Sequence, residues 1–321
     1  MASQSSIRLL SRLCQPSYHY LIKVINMADF KKQVSENITG EFFVDSTCID
    51  CDTCRQLAPH TFEDSGRTSY VKTQPQTDNE IRKATQALLA CPTGSIGTLH
   101  PNTASGVIQD FPMEIEPGIY YCGFNSPKSF GGNSYFIQHP EGNWLIDSPK
   151  FLPHLVKKFE AMGGVRYIFL THQDDVADAA KYAKHFQSQR IIQEADLDAQ
   201  PDAEIILKGT EPTEPIAGFQ IIPTPGHTRG HLVLLYRQKY LFTGDHLWWR
   251  RKRQQLGASQ SVAWYSWREQ TESMSRLLNY QFEWVLPGHG DKKKLTAGEM
   301  REELKALVNR MKSSLAPGQK A

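Results

Sequence analysis

The chain has 321 residues, of which 40% are hydrophobic and 22% are charged. This length and composition exclude a disulfide-stapled peptide and predict a globular protein of two or three domains. Its apolar runs are shorter than the roughly 18 to 20 residues of a membrane span, and its net charge of +2 is small for a nucleic-acid-binding protein. We therefore expect neither a membrane nor a nucleic acid as a partner.

The first 26 residues are basic and contain several Ser and Leu residues. They include Arg8, Arg12 and Lys23, no acidic residue and no long apolar run. This composition is typical of transit peptides, so residues 1–26 predict targeting to an organelle, a chloroplast or a mitochondrion. The alternative is that translation starts at Met27.

The rest of the chain divides by charge. Residues 27–110 carry 7 basic and 11 acidic side chains, whereas residues 111–321 carry a small positive excess. We predict a small domain over 27–110 and a larger one over 111–321, joined by the stretch of Pro and Gly residues at 112–118.

Three of the six cysteines stand close together, at Cys48, Cys51 and Cys54. This spacing suits metal ligation better than disulfides, because the thiolates can point at one centre, and it indicates a reducing compartment. Three such thiolates can wrap one face of an iron–sulfur cube, and the fourth ligand must come from elsewhere, with Cys91 as the best-placed candidate. A zinc ion held by the same four thiolates is the alternative.

A helix is predicted between the third and fourth of these cysteines. Thr77 offers an N-cap oxygen, Ile81, Ala84 and Leu88 recur at helical spacing, and the pattern ends at Cys91. The helix would therefore deliver the fourth cysteine to the other three.

This segment resembles single-cluster bacterial-type 4Fe-4S ferredoxins. Their pattern continues with a Pro and an aromatic residue, here Pro59 and Phe62, and with a distant CPT-x-SI motif, which here ends at Ser95 and Ile96. The resemblance covers about 60 residues. It implies one 4Fe-4S cluster bound by these cysteines: Cys48, Cys51, Cys54 and Cys91.

Beyond Gly118 the pattern changes to alternating strands and helices. The apolar patterning predicts strands over residues 133–137, 143–147, 165–171, 232–236 and 240–244. A helix is predicted over 174–186, and another follows the capping box of Thr296 and Glu299. The apolar stripe of this last helix consists of Met300, Leu304, Leu307, Val308 and Met311.

His and Asp residues recur directly after these strands. Loops at strand ends project side chains into a common cleft, so several such residues indicate convergent metal ligands. The residues in question are Asp147, His172, Asp174, Asp175, His227, Asp245 and His289.

In these motifs, residues 112–310 resemble the metallo-β-lactamase fold. The resemblance implies an α+β chain in which a small ferredoxin-like domain precedes an αβ/βα four-layer sandwich. It also implies that Asp147 is structural, that His172 and His227 are metal ligands, that Asp245 bridges two metals and that His289 completes the motifs. The whole chain resembles fusions of a ferredoxin with a metallo-β-lactamase domain.

The second motif departs from the family pattern T-H-x-H-x-D-H. Asp174 replaces the second His, and Val176 and Ala177 stand where Asp and His are expected. We therefore predict at most one divalent metal, iron, zinc or manganese, instead of two zinc ions. Its ligands would be drawn from His172, Asp174, His227, Asp245 and His289, while Asp174 or Asp175 could instead cap the following helix.

Three functions are compatible with these motifs. The resemblance implies a metal-dependent hydrolase, in which Asp174 or Asp175 accepts a proton from metal-activated water. A redox enzyme with a mononuclear iron fed by the cluster, and with a redox partner protein, explains the fusion better. The third is a non-catalytic iron–sulfur binding module. The sequence does not identify a small-molecule substrate.

A basic and aromatic run, WWRRKR at 248–253, follows the fourth motif. It predicts either a solvated loop or a surface for an acidic partner, such as the ferredoxin-like segment itself.

Overall fold

We describe the protein from a computed structural model, which covers residues 28–100, 104 and 106–315. The predicted transit peptide lies outside these residues. The α-helices are α1 Thr53–Leu57, α2 Asp78–Ala90, α3 Pro153–Ala161, α4 Ala179–Phe186, α5 Trp267–Arg276 and α6 Ala297–Ser314. No helix in this described part is long and apolar enough to span a bilayer.

The strands of the N-terminal segment are β1 Phe42–Val44, β2 Phe62–Asp64, β3 Ser69–Val71 and β4 Ile96–Thr98. They form two antiparallel pairs, β1 with β4 and β2 with β3. Helix α2 has the predicted N-cap, because the Thr77 hydroxyl accepts from the backbone of Glu80 and the Glu80 side chain accepts from the backbone of Thr77. It ends at Cys91, as the sequence predicts.

A seven-stranded sheet comes first in the second domain. Its strands are β5 Met113–Glu116, β6 Ile119–Tyr121, β7 Tyr135–Ile137, β8 Trp144–Ile146, β9 Tyr167–Phe169, β10 Gln189–Gln193 and β11 Ile205–Leu207. In the sheet they lie in the order β11-β10-β9-β8-β7-β6-β5. The stretch expected to join the domains therefore contains β5, an edge strand of this sheet.

A six-stranded sheet follows. Its strands are β12 Thr213–Ile216, β13 Phe219–Pro223, β14 Leu232–Tyr236, β15 Tyr240–Gly244, β18 Trp284–Pro287 and β19 Lys293–Lys294. In the sheet they lie in the order β12-β13-β14-β15-β18-β19. A separate hairpin pairs β16 Trp248–Arg250 with β17 Gln255–Gly257.

The two sheets pack face to face, and helices cover their outer faces. Leu232 and Leu234 of β14 face the core shared by the sheets, whereas Val233 and Leu235 face α5 and α6. On the other sheet, Phe136 stacks on Phe159 of α3 at 4.8 Å between ring centroids. The result is the four-layer α+β sandwich that the resemblance implies.

The helices predicted after Thr77 and after Thr296 are present, but the helix predicted over 174–186 is shorter than expected. The predicted stripe of α6 is buried, and its capping box is present. The helix predicted over 174–186 begins only at Ala179, because Gln173–Asp175 form a 3-10 turn and Ala177 has a φ of 35°. Neither Asp174 nor Asp175 caps it, since Asp178 occupies the N-cap position.

One of the two clusters of buried apolar residues spans both predicted domains. Phe42, Phe62 and Leu88 of the N-terminal segment belong to the same apolar core as Tyr121 and Tyr135 of the second domain. The two segments therefore share a packed interface.

Candidate cluster and metal sites

The four predicted cluster ligands line one cavity. Cys48, Cys51, Cys54 and Cys91 are all in its wall. The loop that carries the first three is sharply folded, because Asp50 and Asp52 have φ values of 59° and 67°. The backbone N–H of Ser69 donates to Cys48 Sγ at 3.4 Å. Burial raises the pKa of Cys51 to about 11.

The spacing of these thiols fits a cluster better than a zinc ion. Tetrahedral zinc with Zn–S bonds of about 2.3 Å would require sulfurs roughly 3.8 Å apart. Within the described part of the chain, the groups of three or more His, Cys, Asp or Glu ligand atoms lying within 4.8 Å of one another do not include the cysteines. A shared cavity with wider sulfur separations suits a cube-shaped cluster.

The ends of β9, β13 and β15 bring two histidines and an aspartate together. His172, His227 and Asp245 place one ligand atom each within 4.8 Å of the others. Strands β13, β15 and β18 run in the same direction in one sheet, so their following loops meet at one edge. Asp174 Oδ2 lies 3.3 Å from His227 Nε2 and 3.9 Å from His172 Nε2.

Hydrogen bonds on the far side of each ring orient these histidines. The Thr171 hydroxyl donates to Asp147 at 3.0 Å and lies 2.9 Å from His172 Nδ1. His172 Nδ1–H therefore donates to this hydroxyl, and its Nε2 keeps a free lone pair. His227 Nδ1 lies 2.5 Å from the carbonyl oxygen of Val262, which leaves Nε2 free in the same way. Burial raises the pKa of Asp147 to about 8.

Asp175 joins a second group of ligand atoms with Asp245 and His289. His289 Nδ1 lies 2.8 Å from Asp245 Oδ1. Burial lowers the pKa of His289, but the Asp245 carboxylate outweighs this effect and raises it to about 10. Desolvation raises the pKa of Asp175, which is buried, whereas the side chain of Asp174 is 46% exposed. Asp245 belongs to both groups, as a bridging ligand would.

Several side-chain atoms at this site are buried without a hydrogen-bond partner, as atoms that bind a metal ion would be. His172 Nε2, His227 Nε2, His289 Nε2 and both carboxylate oxygens of Asp175 are buried and make no hydrogen bond among the described residues. Buried polar atoms normally have partners, so a cation at the meeting point of these atoms would account for them. Sequence reasoning found every one of these residues but did not separate the role of Asp175 from that of Asp174.

Two further residues near the motifs, Asp178 and His231, bond to protein groups outside the ligand set or to a ligand's backbone. Asp178 accepts from Phe151 N at 3.0 Å and from Lys128 Nζ at 2.9 Å. His231 bonds to the Thr224 hydroxyl and accepts from Asp245 N, which is a structural role. His246 is fully buried, and neither of its ring nitrogens makes a hydrogen bond among the described residues.

Two consecutive glycines separate the cysteine cavity from the metal cleft. A methyl group placed on Gly131 would lie 2.7 Å from Cys51 Cβ and 3.0 Å from Cys51 Sγ. One placed on Gly132 would lie 2.6 Å from Asp175 Oδ1. Sequence analysis missed this segment, although the adjacent glycines in FGGN were a visible signal.

Hydrogen bonds from both domains hold this separating segment. The Thr53 hydroxyl and the Asn125 amide donate to Gly131 O, at 3.4 and 2.7 Å. On its other side Asn133 N donates to Gly288 O at 2.6 Å. The wall between the two sites is thus one backbone segment, fixed from both directions.

The basic run at 248–253 folds against the acidic N-terminal segment. Arg251 lies 3.8 Å from Asp52, and Lys252 lies 3.4 Å from Asp64. The run forms β16 and a 3-10 turn in which Lys252 and Arg253 are exposed. Both predicted roles are therefore present: part of the run is solvated, and Arg251 and Lys252 lie beside acidic residues of the N-terminal segment.

These two sites and the sandwich define a class of protein, a metallo-β-lactamase-fold protein with an iron–sulfur segment. Residues 44–98 match the 4Fe-4S single cluster domain of ferredoxin I. Residues 115–277, about half of the chain, match the metallo-beta-lactamase superfamily. The chain therefore belongs to the metallo-beta-lactamase superfamily and carries a ferredoxin-type 4Fe-4S domain. No curated protein matches it by sequence.

Solved structures of the same fold are similar at low identity. A metallo-beta-lactamase from Pontibacter korlensis is 17% identical, with a TM-score of 0.47 over 63% of this chain and 98% of its own. ETHE1 from Myxococcus xanthus is 18% identical, with a TM-score of 0.42 over 62% and 93%. A common fold does not imply a common activity.

Proposed function

We propose that this protein is a metal-dependent oxidoreductase in which the 4Fe-4S domain exchanges electrons with a metal in the cleft. The observation that carries the proposal is the wall of Gly131 and Gly132, whose two faces contact Cys51 and Asp175. Adjacent α-carbons are about 3.8 Å apart, so only a short stretch of backbone separates the two sites. A hydrolase would have no use for this proximity.

The ligand set supports a redox metal. Two histidines and one carboxylate with open positions are the set that proteins use for non-haem ferrous iron. His172, His227 and Asp245 provide it, and such an ion supplies one-electron chemistry at the cleft. Asp147 and Thr171 hold the His172 ring in place from behind.

Two exposed aromatic rings lie beside the histidines of the cleft. Trp264 is 66% exposed, and its ring centroid lies 6.1 Å from that of His227. Phe130 is 56% exposed and lies 6.3 Å from His289. These rings frame the opening at which a substrate would enter, while the cysteine cavity lies behind the wall. Because electrons would reach the cluster separately from the substrate, the proposal includes a redox partner protein.

Metal counting tests the proposal first. Protein purified without air should contain one iron beyond the four of the cluster, and His227→Ala should contain only the four. His185→Ala, a partly exposed histidine away from both sites, is the matched control. Four cluster irons with two zinc ions per chain would reject the oxidoreductase.

Electron delivery is the second test. Reduced ferredoxin, which is too large to enter the cleft, is added to oxidised protein, and the spin-resonance signal of the cleft ferric ion is followed. It should disappear at least about tenfold faster in the wild type than in Cys91→Ser. Equal rates would show that the cluster is not the donor.

A hydrolase is the second candidate, and the group of Asp175, Asp245 and His289 favours it. Two groups of ligands that share Asp245 are what a two-metal site requires. In that case Asp174 is the better general base, because Asp175 is fully buried. Two tightly bound metals, with hydrolysis of esters or amides lost in Asp174→Asn, would establish this alternative.

A further inference from the structure

Lys150 belongs to the second domain but contacts Cys91, which lines the cysteine cavity of the first. It lies between β8 and α3, and its Nζ is 3.4 Å from the backbone carbonyl oxygen of Cys91. The backbone N–H and carbonyl oxygen of Lys150 are both hydrogen-bonded. Lys150 N donates to Phe124 O at 3.0 Å, and the Tyr182 hydroxyl donates to Lys150 O at 2.9 Å. A fixed stretch of the second domain therefore places this ammonium beside the backbone of Cys91, one of the residues that line the cavity.

No carboxylate pairs with the Lys150 ammonium among the residues that the structure describes. Other lysines of this domain have such partners: Lys128 lies 2.9 Å from Asp178, and Lys239 lies 2.6 Å from Glu116. Lys150 is half-buried, so its charge has lost part of its water without gaining a counter-ion. This cation is therefore placed where an anion is expected.

The expected anion is a cluster in the cavity that Cys91 lines. Residues 44–98 match a 4Fe-4S domain, and a cluster held by four thiolates carries net negative charge. Reduction adds one more electron to it. A fixed positive charge nearby stabilises the more negative reduced form and so raises the reduction potential.

We propose that Lys150 is a positioning residue of the second domain that sets the reduction potential of the cluster by placing a positive charge beside Cys91. The proposal deepens the proposed function, since it explains how the second domain adjusts the electron donor that it receives. It concerns the cluster alone and does not require a metal in the cleft.

The test is a potentiometric titration of the full-length protein, followed by spin resonance of the reduced cluster. Lys150→Met removes the charge and keeps most of the side chain, Lys150→Arg keeps the charge, and Lys157→Met removes an exposed lysine of α3. The midpoint potential should move to a more negative value in Lys150→Met only. Iron and sulfide are counted in each variant before titration.

Each outcome decides the proposal. An unchanged midpoint in Lys150→Met, with a full cluster, would overturn it, and so would an equal shift in Lys157→Met. Loss of the cluster in Lys150→Met but not in Lys150→Arg supports a need for the charge, whereas loss in both variants shows a packing role and overturns the proposal. Lys150→Met should lower the midpoint potential by the same amount when it is introduced into His227→Ala. A missing cleft metal and a failure of this inference are therefore distinguishable.

Discussion

The cysteine cavity and the metal cleft are built in different ways. Three cavity ligands lie within seven consecutive residues, at a loop and the first turn of α1, and the fourth follows a single helix. The cleft ligands follow β9, β13, β15 and β18, and they span residues 172–289. The cavity can therefore be recognised from local spacing, whereas the cleft depends on which strands become neighbours. Gly131 and Gly132 lie between the two sites, one against Cys51 and the other against Asp175.

The largest expected effect is on the cavity. Cys91→Ser should bleach the brown chromophore or leave a three-iron species, because no other described cysteine lines the cavity. Absorption and spin-resonance spectra measure the change. Cys122→Ser, a change at a buried cysteine outside the cavity, should leave the four-iron spectrum intact. A four-iron spectrum that survives Cys91→Ser would contradict the assignment.

The second effect concerns the support behind His172. Asp147→Asn replaces one of the two carboxyl oxygens that accept from Thr171 with an amide NH2 group, which cannot accept. Thr171 is then held less firmly, so the His172 ring loses part of its fixed orientation. We expect metal affinity in the cleft to fall by about 10- to 100-fold, as is typical when a partner of a ligating histidine is changed. Titration with the metal checks this. The cluster content should not change, and a parallel loss of both centres would indicate general unfolding instead.

The glycine wall offers a matched pair of variants. Gly131→Ala presses on Cys51 and has a φ of 88°, where a side chain is strained, so cluster content should fall. Gly132→Ala presses on Asp175, so occupancy of the cleft should fall first. Each should cost about 1–3 kcal/mol of stability. Iron, sulfide and cleft-metal counts distinguish the two, and identical profiles would show that the wall does not separate the sites.

The smallest effect tests whether the two regions unfold together. Glu116 of β5 accepts from Lys239 and Tyr240 at 2.6 Å each and from Trp284 at 3.0 Å. Burial raises its pKa, but these donors outweigh it and hold the pKa well below its usual value. Glu116→Gln should cost about 1 kcal/mol at pH 7.

The pH dependence has a definite sign. Because the folded pKa of Glu116 is lowered, its contribution is complete above the unfolded value of about 4.3 and disappears as the pH falls through the folded value. The difference in stability between the wild type and Glu116→Gln should therefore disappear in acid. Cluster absorbance and circular dichroism should report one midpoint, since the core is continuous. Two separate midpoints would favour independent domains.

Local signals in the sequence were sufficient for several features. The cysteine spacing, the capping boxes at Thr77 and Thr296 and the apolar stripe of α6 each involve residues within a few positions of one another, so neighbouring chemistry determines them. The histidines and aspartates after the strands were found for the same reason. Family resemblance then supplied the fold that brings these distant residues together.

Only the tertiary structure decided how those residues divide the work. Asp174 and Asp175 are adjacent in sequence, but a 3-10 turn exposes the first beside His227 and buries the second beside Asp245. Lys150 has no marking in the sequence, and only the fold places it beside Cys91 of the N-terminal segment. Residue type and spacing determine which groups can bind an inorganic centre. Which side of a wall each group faces depends on long-range strand order and packing, which no local pattern encodes.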